Sequence, residues 1–335
     1  MRVNMKQIQI ISVFYFLFTC LGCKGQKPFG ENQLIRQVTI PMPGVKGRID
    51  HLDIDIKEKI IYVAALGNNS LEIVDFSKGK ALHSIKGLDE PQGVAYIPQQ
   101  QEIFVANGGN GDCYFYNAQN FEKTAAIHLS SDADDVRYDS TDQKIYVGYG
   151  NGAIAVINAQ THQQIADIKL QAHPEGFELD KQLNRLFVNI PGAHKIAVID
   201  IKLFKLIDQW STGEFNANFP LALDTAHHYI IVGYRHPAKL VVLNEETGAI
   251  VNVADMVNDV DDIYVDEPTK RIFASGGGGF ISIYQWKDQM LQQVANISTR
   301  SGARTSLLIP TLSLFVLAAR ASGNNTAELQ IYETK

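Results

Sequence analysis

Six polar residues, Asp50, Gln92, Asp134, Glu175, Asp261 and Arg304, recur every forty-odd residues, and Phe219 completes the series between Glu175 and Asp261. Others cluster beside them. His51, Asp135 and Asp262 directly follow a register position, while Arg48, His173 and Asn218 stand one or two residues before one. Brought to one place, such carboxylates raise one another's pKa unless a cation or a donor compensates. Compensation has an internal source in Arg48, His51 and Arg304. It has an external one in a hard divalent cation such as calcium or magnesium, which selects carboxylate and amide oxygens. A third use of the same groups is a pocket that orients a small polar ligand through charged contacts. His51 and His173, each near carboxylates, suit a general base or a metal ligand. The candidate ligand-binding set is therefore Arg48, Asp50, His51, Gln92, Asp134, His173, Glu175, Asn218, Asp261 and Arg304. Spacing alone assigns no catalytic residue and no metal ligand.

These residues are far apart in sequence, so only a repeating architecture gathers them. The copies DDVRYDSTDQKIYVGYGNGAIAVIN (Asp134–Asn158) and DDIYVDEPTKRIFASGGGGFISIYQ (Asp261–Gln285) show the unit clearly. A period of about 40–45 residues built from short apolar strands marks a four-stranded propeller blade. The expectation is an all-β, seven-bladed β-propeller formed by one domain over residues 33–335. Strands nearest the axis begin near His51, Gly93, Asp135, Gly176, Pro220, Asp262 and Thr305. Second strands carry Tyr62, Phe104, Tyr146, Phe187, Ile231, Phe273 and Phe315, which should fill the space between stacked sheets. Third strands end at Asp75, Asn117, Asn158, Asp200, Asn244, Gln285 and Glu333, several of them residues that bond the backbone of a following turn. The last unit lacks an outer strand, and Leu34–Ile40 is a strand without a unit. Pairing the two closes the ring and removes sheet edges.

In this architecture the loop entering each first strand and the loop joining second to third strands open on one face. The register residues therefore line one funnel. A second set, Asn68, Asn110, Tyr149, Asn151, His194, Tyr234, Arg235, His236 and Arg320, faces the same way. His227 and His228 fall on the opposite face, and His83 and His128 on outer strands, all expected as plain surface residues.

The segments EPQGVAYIPQQQEIFVANGG (Glu90–Gly109) and KIYVGYGNGAIAVINAQT (Lys144–Thr161) resemble the YVTN-type repeat. The chain as a whole is similar to secreted, YncE-like seven-bladed propellers. That resemblance implies the fold and says little about activity, because one architecture serves many purposes. Asn189–Lys195 and Tyr234–Lys239 depart from the repeat's usual Gly/Asn turn, the kind of place where repeat proteins set specificity.

The start of the chain has a different character. Arg2 and Lys6 precede the apolar run Ile8–Leu21, which is short for a bilayer span, and Gly22-Cys23 follows. Residues 1–22 are expected as a lipoprotein-type signal, with Cys23 lipidated and residues 23–32 a tether. Plain secretory cleavage nearby is the alternative. Either way the chain is exported, and the lipid would anchor it in the bacterial cell envelope, in the periplasm or at the outer membrane. Cys113 then has no partner for an intramolecular disulfide. The net charge of −6, more negative still without Arg2 and Lys6, argues against generic binding to a nucleic-acid backbone.

Other motifs carry little. Gly276–Gly279 precedes a strand rather than a helix, so it fits a hairpin and not a phosphate cradle. Ser306 lacks a Gly-x-Ser-x-Gly elbow, and no zinc or haem-attachment spacing occurs. Two functions remain: a propeller that binds a small polar molecule or a protein partner in its funnel, or a metal-dependent, lactonase-like hydrolase or lyase using the acidic ring.

Overall fold

The computed structural model describes residues 34–334; Cys23 and the expected signal and tether lie outside them. Among these described residues, twenty-eight strands form seven antiparallel four-stranded sheets. The first blade runs Leu52–Asp55, Ile60–Ala65, Ser70–Asp75 and Lys80–Lys86 from the axis outward. Each innermost strand packs on the next, and the seventh, Ser306–Ile309, meets the first, so the sheets close a ring. In the last blade the outer strand is Leu34–Met42, antiparallel to Ala327–Thr334 with Leu34 opposite Thr334 and Met42 opposite Ala327. The strand thus extends two residues past Ile40. Its Leu34, Ile40 and Met42 are buried, which is why the chain gains by bringing its N-terminal strand round.

Burial follows the strand period. All seven second-strand positions, from Tyr62 to Phe315, are buried to within 1 %, and Phe104 meets Phe115 edge-on and Phe315 meets Phe273 at a tilt, with centroids 5.0 and 5.5 Å apart. Outer strands are largely exposed, with runs such as Lys80–His83 and Lys205–Asp208 open to solvent. The recurring Asp and Asn residues cap turns. Asp75, Asn117, Asn158, Asp200 and Asn244 each accept backbone N–H groups two or three residues on. Gln285 and Glu333 do not share that pattern.

Neighbouring blades are also pinned together by side chains. The carboxylate of Asp53 accepts from Tyr96 N at 2.6 Å, and that of Asp262 from Ser306 N at 2.6 Å. Thr305 Oγ1 donates to Ile49 O across the closure of the ring. His227 and His228 are exposed, as expected, and each also partners a buried group. Their Nδ1 atoms contact the buried carboxylates of Asp224 and Glu245, and the His227 ring lies against Trp286. A buried carboxylate needs such a partner, and the sequence pattern does not show which residue supplies it. Among the described residues no helix is long and apolar enough to cross a membrane.

Candidate ligand-binding funnel

Inner strands converge, so the residues at their starts meet around the axis. Close approach requires small residues there: a Cβ on Gly93 would lie 2.1 Å from Asp134 O, and one on Gly176 would lie 2.6 Å from Phe219 O. The result is a cavity of about 300 Å³ at one mouth of the ring. Nine of the ten sequence-predicted ligand residues line it: Arg48, Asp50, His51, Gln92, Asp134, His173, Glu175, Asp261 and Arg304.

Asn218 is the exception. Its side chain is fully buried between the fourth and fifth blades, where Nδ2 donates to Lys195 O and Asn189 Oδ1. Asn189 in turn donates to Phe219 O and Pro220 O. The register places Asn218 near the mouth, but the Lys195 carbonyl and the Asn189 side-chain oxygen of the neighbouring blade claim its donors. Of the second set, Arg235 alone lines the cavity. His194 and His236, from the two turns that depart from the repeat, are exposed and do not line it.

Sequence reasoning missed Asp132, Arg137, Glu178 and Tyr264, which also line the cavity. The signal for three of them is the strand period itself. Arg137, Glu178 and Tyr264 stand two residues beyond Asp135, Gly176 and Asp262, and alternate residues of a strand share a face. Arg137 and Glu178 form a floor. The guanidinium pairs with Asp135 and, through Nε, with Glu178 Oε1 at 2.9 Å. Beyond this floor a second cavity, about 380 Å³, opens toward the other face with Asp53, Tyr96, Pro98 and Tyr138 in its walls.

The charges above the floor are unevenly matched. Asp261 pairs with Arg235 and, at 3.0 Å, with Arg304 Nε, while Asp259 takes Arg304 Nη1 at 2.9 Å. Arg235 also donates to Val260 O and lies 3.7 Å over the Phe219 ring. Asp50 has Arg48 at 3.2 Å. Asp134 has only the imidazoles of His51 and His173, at 3.9 and 3.7 Å, too far for hydrogen bonds. The Glu175 carboxylate forms no hydrogen bond or ion pair among the described residues.

The titration of these groups reflects that imbalance. Glu175 is pushed up to about 8, first by burial and then by Asp134. Asp50 and Asp262 rise to about 7, again mainly by burial, against the lowering influence of His51. Burial alone would lower His51, yet Asp135, Asp50, Asp262 and Asp134 outweigh it and raise the imidazole to about 9. His173 also rises to about 9: burial opposes this, and Asp134, Gly150 O and Asp132 prevail. Both imidazoles are thus held toward their cationic form; His173 Nδ1 lies 2.7 Å from Gly150 O, while His51 meets its carboxylates only at 3.7 to 4.0 Å. Among the described residues no group of three or more His, Cys, Asp or Glu side chains is arranged to hold a metal ion.

Comparison with known proteins adds the fold and nothing finer. No protein-family model and no curated protein matches the chain. Solved structures do match in shape. A chain from the crystal structure of a mitotic checkpoint complex superposes with a TM-score of 0.76 at 16% identity, covering 96% of this chain and 99% of that one. Hydrazine synthase of Kuenenia stuttgartiensis gives a TM-score of 0.74 at 15% identity, covering 87% of this chain and 97% of that one. At such identities only the propeller architecture is shared.

Proposed function

We propose that the chain is an exported, lipid-anchored propeller of the YncE-like, YVTN-repeat kind that binds a small polar ligand in this funnel. The observation that carries the reading is the unpartnered Glu175 carboxylate in a cavity whose other charges converge from separate blades. The Glu175 side chain is half-buried, and a ligand that brings a charged donor gives it a strong bond that no protein group supplies. Binding asks only for shape and paired polar groups. Hydrolysis or lyase chemistry asks in addition for a general acid or base within reach of one substrate pose. Export rests on Arg2, Lys6, Ile8–Leu21 and Gly22-Cys23.

One preparation tests both halves. The Cys23→Ser variant, expressed in a bacterial host, should leave the membrane fraction for the soluble one. The released protein should then be stabilised by at least one member of a panel of small cations, anions and sugars, through the linkage of binding to folding. Gln92→Trp, which narrows the mouth, should abolish that stabilisation. Continued membrane retention of Cys23→Ser would refute the anchor. Stabilisation that survives Gln92→Trp, or none from the whole panel, would refute the funnel as the site.

A further inference from the structure

The two sides of the funnel differ in what they lack. Asp261 and Asp259 form a closed group with Arg235 and Arg304. Opposite them, Glu175 is unpaired and Asp134 is met only at 3.7 to 3.9 Å. Below, Asp135 is 3% exposed and lines the cavity, and its Oδ2 is buried with no hydrogen-bond partner. Acceptors outnumber donors on this side, where His51, His173 and Arg137 leave Glu175 and Asp135 Oδ2 without a hydrogen bond. We propose that the funnel takes its ligand through a protonated primary amine, whose N–H groups bond Glu175 and Asp134.

The proposal rests on the funnel being a ligand site, and three features choose the amine. Carboxylates are acceptors, so the incoming group must donate, and a positive charge makes those bonds the strong kind. A quaternary ammonium has no N–H to give and is recognised by aromatic faces. Of the two aromatic rings lining the cavity, Phe219 is covered by Arg235, and the Tyr264 hydroxyl donates to Ser306 O. A divalent ion needs several oxygens converging within roughly 2.0–2.6 Å of one point, and no such group stands among the described residues. The ammonium imposes no such convergence, since each acceptor needs only one N–H of its own. A cavity of about 300 Å³ lies at the small end for ligand pockets, which suits a compact amine.

The amine should displace a proton. Burial first, then Asp134 and Asp261, raise Glu175 to about 8 against the lowering influence of His173 and Arg235, which favours its protonated form at neutral pH. A bound ammonium favours its ionised form, so binding releases H⁺ to the buffer. Calorimetric titration in two buffers of different ionisation heat reads this directly. The probes are putrescine, glucosamine, glucose, gluconate and choline, titrated into the wild type and Glu175→Gln. Putrescine and glucosamine should bind with proton release. Glu175→Gln should weaken both by about tenfold or more while melting no lower than the wild type at neutral pH. Glucose, gluconate and choline should bind at least about tenfold more weakly than the amines. Glucose or gluconate binding as tightly as glucosamine would overturn the amine and leave the funnel standing as a site. Amine binding indifferent to Glu175→Gln would overturn the placement. No binding by any probe at millimolar concentration would take the funnel reading down as well.

Discussion

Glu175 and Asp261 hold the same register position two blades apart, yet they have opposite needs. Asp261 joins two arginines, with side chains 14% and 21% exposed. Asp261→Asn would leave those cations short of a partner and should destabilise the fold by about 1.5–3 kcal/mol, the scale of a charged hydrogen bond. Glu175→Gln removes a carboxylate that has no partner. The sign with pH follows from its raised titration. A folded state that holds the proton more tightly gains stability fully below the ordinary value of 4.5 and loses it as pH rises through about 8. Glu175→Gln should therefore match the wild type below about pH 4.5, exceed it progressively as pH rises to about 8, and keep that margin above it, by denaturant melts at several pH values. If Asp261→Asn and Glu175→Gln shift stability alike, the division of the funnel into a paired and an unpaired side is wrong. The register made the membership of both residues legible from sequence. The difference between them was not, because it depends on Arg235, which arrives from another loop. Asn218 shows the same limit: its position was readable, but the direction of its side chain was decided by the neighbouring blade.

At the scale of elements the repeat made much of the chain readable. The strands, their turn caps and the buried second-strand aromatics follow from alternation and turn chemistry, which are local. The spare strand near the N-terminus and the short last unit pointed to the pairing seen between Leu34–Met42 and Ala327–Thr334. Less legible was how far along each inner strand the funnel reaches, so that Arg137 and Glu178, the floor, went unnoticed. The outer strand of the last blade offers a direct test. Leu34, Ile40 and Met42 are each at most 5% exposed, and burying such side chains is worth about 1.5–3 kcal/mol apiece. Deleting residues 34–42 should lower the melting temperature sharply and expose the edge of Ala327–Thr334 to aggregation. A synthetic peptide of the same nine residues, added in trans, should restore part of the loss. Deletion without effect on melting would mean that the ring does not depend on this strand.

Taken whole, the molecule is a ring whose architecture is common and whose axis is particular. The fold was legible because a period of forty-odd residues admits few structures. The occupant of the funnel was not, because the same ring serves many chemistries and the choice lies in a few charges. The central claim concerns one of those charges, a carboxylate held without a donor until a cation arrives. Its most direct measurement is the titration of Glu175 by carbon-13 NMR, in protein labelled at the glutamate carboxyl carbon and assigned with Glu175→Gln. Alone, the Glu175 signal should titrate at about 8, and saturating putrescine should move that midpoint down. A midpoint near the ordinary 4.5, unmoved by the amine, would contradict the account.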